Sequence, residues 1–403
     1  LNRIGESEIP ENEPGAIQRI LQAIRKHLGM EVAYVSRFSG DRSYLRDVDA
    51  PGLEHLVKAG DSFAIDDIYC RHILDGRLPQ LITDTALYPI AASLPITAAV
   101  PIGAHMSVPV YLPDGSTYGM LCCLSPHANP TLTDRDLQVM KVFADIAAHH
   151  INRDLLIETD LSEANVRVGQ VIAHDEFKLV YQPILTLAPL RLAGFEALCR
   201  FAPEPYRPPD QWFGEAARVG LGVELERAVL KTALNAFNEI SGDLFISVNV
   251  SPEVILHEGF VQIFENCPKA RLVVEITEHT KVDDYAALLA ALEPIRWEGA
   301  RLSIDDAGAG FASLRHILNL SPEIVKLDAG LTTALDTDPA RRALAAALVY
   351  FGRETQSRII AEGIETESEL AVLMGLGVPM GQGYLLGRPA DLASATALCA
   401  GMA

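Results

Sequence analysis

The 403-residue chain has no stretch approaching the roughly 20 apolar residues that cross a bilayer. It has no C-x-x-C pair and no Cys/His spacing suited to zinc. Its six cysteines, Cys70, Cys122, Cys123, Cys199, Cys267 and Cys399, are scattered and are expected to be buried and reduced. Positive charge is scarce: 33 Lys and Arg stand against 53 Asp and Glu, a formal net charge of −20. That balance argues against DNA and against any broad, sequence-blind nucleic-acid binding. It leaves room for a small phosphate ligand if metal ions reverse the local sign. No internal repeat or low-complexity segment occurs, and Leu1–Pro14 has neither a basic start nor an apolar signal core. These absences point to a cytoplasmic protein without a membrane span. What is abundant is apolar side chain, 49% of the chain, enough for the cores of two or three domains.

The pattern changes character near residues 150–175. Before it, Glu31–Phe38 reads as a strand, and Met106–Leu112 and Thr117–Ser125 read as two strands joined at Pro113-Asp114-Gly115. Helical patterns flank them at Ala16–Leu28 and from Thr133 onward, which predicts an α+β domain. Met140, Phe143, Ala147, Ile151 and Leu155 carry the second helix past His150. It connects the two parts, either packed on its own domain or paired with its copy in a dimer. From Phe177 the chain alternates strands with helices. The predicted strands are Lys178–Pro183, Leu192–Arg200, Leu244–Val250, Leu272–Thr277, Leu302–Asp306, Ile324–Asp328, Ile359–Gly363 and Gly383–Leu386. Eight strands with interleaved helices suggest an α/β fold, a (β/α) barrel, with a doubly wound open sheet as the competing topology. Thr366 and Glu369 have the spacing of a capping box. The expected division is a tail over 1–12, a first domain over 13–152, a connecting helix over 153–172 and a second domain over 173–403.

Acidic residues recur where the predicted strands end: Glu196, Glu275 with Glu278, Asp305-Asp306, Asp328, and Glu362 with Glu365. Asn249 and Lys326 hold equivalent positions. One carboxylate at a strand end is ordinarily a helix cap or a solvated charge. Five acidic strand ends are harder to dismiss, because a barrel gathers them on one face. Gathered acids repel unless a cation binds them, and oxygen donors without His or Cys suit magnesium or manganese. Two such ions favour in-line phosphoryl displacement. Lys326 follows Ile324 and Val325, which suggests an inward ammonium able to orient or deprotonate water.

Residues from about 165 to 403 resemble the EAL domain, a family of cyclic di-GMP phosphodiesterases. The resemblance is carried by Glu196-Ala197-Leu198, the Asn-Val-Ser stretch at Asn249, Glu275-Ile276-Thr277-Glu278, Asp305-Asp306, Lys326 with Asp328, Glu362-Gly363-Ile364-Glu365 and Gln382-Gly383-Tyr384. It implies a TIM-like barrel, often dimeric, with one strand running against the others, and hydrolysis of cyclic di-GMP to linear pGpG. It further implies that Glu196, Asn249, Glu275 and Asp305 hold one Mg2+ or Mn2+. Asp305, Asp306 and Glu362 would lie around a second ion. Lys326 would help activate water, Glu365 would support it, and Glu278 would anchor the loop after Asp306. Gln182, Leu198, Arg200, Asp328 and Gln382 would meet the dinucleotide. The family's Asp-Asp-Phe-Gly-Thr-Gly loop here reads Asp305-Asp306-Ala307-Gly308-Ala309-Gly310, which puts loop ordering and regulation in question. No Gly-Gly-Asp/Glu-Glu-Phe stretch occurs, so no companion cyclase is expected. A non-catalytic receptor for the same dinucleotide is the alternative, and a hydrolase for another phosphodiester is a third reading.

Residues from about 13 to 152 resemble a GAF domain, a small-ligand sensor fold. The resemblance rests on Ala33–Phe38, Asp67–Cys70, the Val108–Leu124 hairpin and the helix through Phe143-Ala144. It implies signal reception without naming the ligand. Cys70 beside His72 could carry a bilin, against a buried core cysteine; His105-Met106 could suggest haem, against a satisfied histidine in a core. Cys122-Cys123 lies in an apolar strand, where redox sensing is the less favoured reading.

Overall fold

The computed structural model describes residues 15–240, 242–276, 282–307 and 311–401. The chain divides into two compact units, Leu1–Asp160 and Leu161–Ala403.

The first unit opens with the helix Ala16–Leu28, where Ile17, Ile20, Leu21, Ile24 and Leu28 form one buried stripe. Gly29 ends it in the left-handed region (φ 61°), returning its N–H to the Arg25 and Lys26 carbonyls. Six strands follow: β1 (Val32–Ser39), β2 (Arg42–Asp49), β3 (Ser62–Ala64), β4 (Leu81–Ile82), β5 (Ala104–Tyr111) and β6 (Thr117–Ser125). They form one sheet in the order β3-β2-β1-β6-β5-β4, antiparallel throughout. Alternate side chains leave opposite faces. Ala33, Val35, Met106, Val108 and Cys123 pack beneath Ala16–Leu28 and beneath Met140, Ala147 and Ile151 of the helix Asp134–Ala173. Val32, Cys122 and Leu124 face the other way, under the segment between β2 and β5, which supplies Tyr69, Cys70, Leu94 and Val100. β2 escapes sequence reading because its residues are mostly polar, and the helices within residues 69–99 because each is too short to show a period.

In the second unit eight strands close into a barrel. They are β7 (Phe177–Leu187), β8 (Leu190–Phe201), β9 (Phe245–Asn249), β10 (Leu272–Ile276), β11 (Arg301–Ala307), β12 (Ile324–Leu327), β13 (Arg358–Ala361) and β14 (Met380–Gly381). The order is β10-β11-β12-β13-β14-β7-β8-β9, which excludes the open sheet. β7 runs antiparallel to both neighbours, β8 and β14; the remaining pairs are parallel. The last strand corrects the sequence reading: Gly383–Leu386 is a turn, closed by Leu386 N–H to the Gly383 carbonyl. The helix read as Val223–Ile240 is α-helical only over Gly222–Leu234 and ends in a tight turn. Tyr285–Trp297 forms as expected, and Thr366 with Glu369 forms the capping box of Glu367–Leu376.

The barrel interior is layered. Ile184, Phe245, Val273, Ile324, Ile360 and Met380 make an apolar plug at one end. A two-residue step along each strand keeps the side chain inside and moves it toward the other end. From Val273 that step gives Glu275; from Ile324, Lys326; from Ile360, Glu362; from Met380, Gln382. In β7, which runs backwards, it gives Gln182. The plug therefore sits below a polar layer at the mouth where the parallel strands end. Among the described residues no helix is long and apolar enough to cross a membrane.

Candidate active site

Lys326 occupies the centre of this layer and is fully buried. Its Nζ lies 2.7 Å from Glu362, 3.1 Å from Glu275, 3.2 Å from Asp305 and 3.4 Å from Glu196. Burial opposes its charge, but the four carboxylates outweigh burial and hold the ammonium well above its ordinary range. The carboxylates exceed the one cation. Burial pushes Glu275 up to about 8, with Lys326 pulling against it, and drives Glu362 upward for the same reason. At neutral pH such a cluster keeps protons or takes up further cations.

Among the described residues, two groups of oxygens are close enough to share an ion. Glu196, Glu275 and Asp305 place one carboxylate oxygen each within 4.8 Å of one another, and so do Asp305, Asp306 and Glu362. Asp305 belongs to both. Consecutive side chains in a regular strand point oppositely, so Asp305 and Asp306 could not both reach the mouth. β11 solves this with an irregularity between Ile304 and Ala307, where Asp306 takes φ 57° and its N–H donates to Asp305 Oδ1 at 3.0 Å. Ala307 beyond it is fully buried and pairs with Leu327.

Glu196 is held from two sides. Asn249 Nδ2 donates to Oε1 at 3.3 Å, and Gln382 Nε2 donates to Oε2 at 2.6 Å and to Gln182 Oε1 at 2.9 Å. Gln182 Nε2 donates in turn to the Gly387 carbonyl. Gly383 lets this loop approach: a Cβ there would lie 2.2 Å from the Ile364 backbone. Ser247, two residues before Asn249 and so on the same inward phase, donates its hydroxyl to Glu275. That serine is missing from the sequence reading, although the two-residue step from Asn249 pointed to it.

The structure thus brings Glu196, Asn249, Glu275, Asp305, Asp306, Lys326, Glu362, Gln182 and Gln382 to one mouth. Leu198 and Arg200 line an adjoining groove of about 320 Å³ with Asn249, Phe213 and Glu226. Asp328 serves as the cap of the short helix Ala329–Thr332, accepting from Gly330 N–H at 2.8 Å. Glu365 is exposed; its N–H donates to Glu369, a buried carboxylate that also accepts from Ala334 and Thr366. Glu278 and Ala309 lie outside the described residues.

Comparison with known proteins fits this geometry. The EAL domain model matches residues 160–389, more than half of the chain, and a GAF domain model matches residues 11–152. The bifunctional diguanylate cyclase/cyclic di-GMP phosphodiesterase MucR of Pseudomonas aeruginosa is 33% identical over 232 residues, 55% of this chain and 34% of that protein. The probable cyclic di-GMP phosphodiesterase PdeI of Escherichia coli is 32% identical over 247 residues, 56% of this chain and 31% of that protein. The chain therefore spans about a third of the length of these two relatives. A solved structure described as the PaMucR phosphodiesterase in complex with c-di-GMP aligns with a TM-score of 0.53 at 31% identity, covering 58% of this chain and 99% of that one. With a barrel whose first strand runs against its neighbours and whose mouth carries this acidic layer, the chain belongs to the EAL domain family, and its N-terminal unit is a GAF domain.

Proposed function

We propose that the barrel hydrolyses cyclic di-GMP to linear pGpG with the help of two divalent ions, Mg2+ or Mn2+. The observation that carries this reading is the pair of carboxylate trios sharing Asp305 around the buried Lys326. The donor set fits hard cations: it is all oxygen, anionic in excess, and partly protonated for want of positive charge. Glu196, Asn249, Glu275 and Asp305 would hold one ion, and Asp305, Asp306 and Glu362 the other. Bound there, the ions supply a lowered pKa for water and charge neutralisation for a phosphodiester.

The chain's own residues do the rest. Lys326 remains protonated among four carboxylates, so its ammonium orients a water and offsets charge that builds on the phosphate. Gln382 and Asn249 fix both oxygens of Glu196, so that carboxylate cannot rotate when substrate enters. Leu198 and Arg200 border the groove beside Asn249, where a base and a phosphate of the dinucleotide would lie. Gln182 holds Gln382 in place, Glu365 would support the water network from the rim, and Glu278 would anchor the loop after Asp306. Asp328 reaches substrate only if it leaves its capping position. The relatives' names and the c-di-GMP complex of the aligned structure support the choice of substrate.

The N-terminal domain is proposed to regulate this activity within a homodimer, through residues 153–172 of the long helix. The proposed division is a sensor domain over 13–152, a connecting helix over 153–172 and the barrel domain over 173–403. The test is incubation of purified protein with cyclic di-GMP and Mg2+ or Mn2+, products separated by chromatography. Linear pGpG that disappears with a chelator supports the reading. Saturable binding without product under both metals would make the chain a receptor instead.

A further inference from the structure

One wall of the groove beside Asn249 is anchored from behind. The helix Pro209–Arg218 supplies Pro209, Asp210 and Phe213 to that groove, and Phe213 is the aromatic group among the lining side chains. Glu215 follows two residues later, roughly 200° around the helix, so it projects away from the groove. It is buried, with 5% of its side chain exposed. There it meets the last part of the helix Asp134–Ala173, which enters the barrel unit at Leu161. Arg167 of that helix grips both carboxylate oxygens, Nη2 donating to Oε1 and Nε to Oε2 at 3.4 Å. Arg207, in the loop before Pro209, donates to Oε2 at 2.6 Å, and Arg218 lies 3.9 Å from Oε1. Burial opposes the charge of Glu215, but the guanidiniums of Arg167 and Arg207 hold its carboxyl below the ordinary range.

Packing repeats the connection. Val168 and Val171 of the long helix are buried in one apolar cluster with Phe201, Trp212 and Ala216. Cys199, Phe213 and Val229 belong to that cluster and also line the groove. One layer of side chains therefore separates the long helix from the space where the dinucleotide would lie. Trp212 stacks on Phe201 with ring centroids 5.2 Å apart, and the Arg207 guanidinium sits 4.7 Å over the Trp212 ring. Arg207 thus ties the wall to its own loop and already gives Glu215 a counter-charge. Neutralising Glu215 does not require Arg167. What Arg167 adds is a second element, held by a planar guanidinium on two oxygens, a geometry that fixes angle as well as distance. The helix Pro209–Arg218 has no side-chain cap at its N-terminus, so its placement depends on these contacts.

We propose, on the reading of the barrel as a cyclic di-GMP site, that Arg167 is a positioning residue for the groove: through Glu215 it sets the helix Pro209–Arg218, and with it the place of Phe213 against a base of the bound dinucleotide. A slide or rotation of the long helix moves the Arg167 guanidinium. Glu215 follows, because a buried carboxylate that loses a partner is strongly destabilised. Phe213, on the opposite side of the same short helix, then shifts in the groove. Glu196, Glu275, Asp305, Asp306 and Glu362 sit on or directly after strands of the barrel and not on this helix. The effect therefore falls on affinity for the dinucleotide more than on the chemical step. Within the connecting segment 153–172, Arg167 is the contact through which a signal reaches the substrate.

The test uses the full chain and measures KM and kcat for cyclic di-GMP in Mn2+, or Kd if the chain binds without turnover. Arg167 is 38% exposed and Glu215 keeps Arg207, so Arg167→Gln should fold. It should raise KM or Kd on the order of 5-fold, with kcat changing less. Arg167→Lys keeps the charge but not the two-oxygen grip, and should recover only part of the loss. With Phe213→Ala already in place, Arg167→Gln should add little, because both act on one contact. A clamp with no bearing on the groove would lower the urea midpoint and leave KM at the parent value; that result, or full additivity with Phe213→Ala, overturns the proposal. If Arg167→Gln fails to fold, Glu215→Gln replaces it with the same expected rise, and a parent KM there overturns the proposal equally. A parent chain that neither turns over nor binds cyclic di-GMP removes the reading of the barrel, and this role of Arg167 with it. Parent activity with an unmoved KM in the variants removes the role of Arg167 alone.

Discussion

The barrel mouth and the covered face of the N-terminal sheet both bury polar atoms, but they treat them differently. At the mouth, Glu196, Glu275, Asp305 and Glu362 all lie within 3.4 Å of the Lys326 ammonium, and Ser247, Asn249 and Gln382 add neutral donors. On the sheet face, His105, Ser107 and Ser43 have no such partners. Topology explains the difference. Parallel strands deliver their ends to one rim, so charges of one sign accumulate and must be answered by a cation. An antiparallel sheet collects one face from segments running both ways, and its cover comes from an irregular segment. The mouth is saturated with charge and suits chemistry on phosphate. The face keeps neutral polar groups buried without partners.

Variants can sharpen or break that contrast. The largest effect is expected at the shared ligands: Glu196→Ala or Asp305→Ala should lower pGpG formation by at least about 100-fold, since even outer-shell changes at metal sites cost 10–100-fold. Parent-level turnover in either variant would remove the metal assignment. Lys326→Met leaves the carboxylates without their buried cation. It should destabilise the metal-free protein by about 3–5 kcal/mol in urea unfolding, with much of the loss recovered on adding Mn2+. An unchanged midpoint would mean that the carboxylates are already neutral.

Glu226 tests a carboxylate that has a donor but no cation. Burial pushes it up to about 7, although Ser251 N–H, at 2.5 Å, pulls it down. In the unfolded chain it titrates near 4.3. Between these values the folded chain keeps a proton that the unfolded chain has released, so this residue makes stability fall as pH rises from about 4.3 through 7. Glu226→Gln should therefore be more stable than the parent above pH 7, on the order of 2 kcal/mol after allowance for partial exposure, with the gap closing below pH 4. Unfolding curves at several pH values check this, and a constant gap would contradict it.

The smallest and most direct comparison uses two fully buried serines on strands, Ser247 and Ser107. Ser247→Ala removes a donor from Glu275 and should cost about 1–2 kcal/mol. Ser107→Ala removes an unpartnered hydroxyl and should be neutral or slightly stabilising. Equal losses at both positions would erase the distinction between mouth and face.

Much of the mouth was legible in the sequence because its residues recur at equivalent points, the ends of apolar strands. Glu196, Asn249, Glu275, Asp305, Lys326 and Glu362 follow from that regularity. The bulge that turns both Asp305 and Asp306 inward does not, since it is a backbone feature without a local residue signal. The final strand, Met380–Gly381, is too short to show alternation, so the reading slid onto the turn beyond it. Asp328 keeps the phase of Lys326 but lies past the end of its strand, where it caps a helix, and Glu365, three residues beyond Glu362, faces solvent.

The most direct test of the central claim is cyclic di-GMP turnover by the purified chain, with product chromatography in Mg2+, in Mn2+ and with chelator. Linear pGpG under at least one metal, absent with chelator and absent in Asp305→Ala, is the expected result. Undiminished pGpG formation in excess chelator would contradict an account in which two carboxylate groups sharing Asp305 hold the ions.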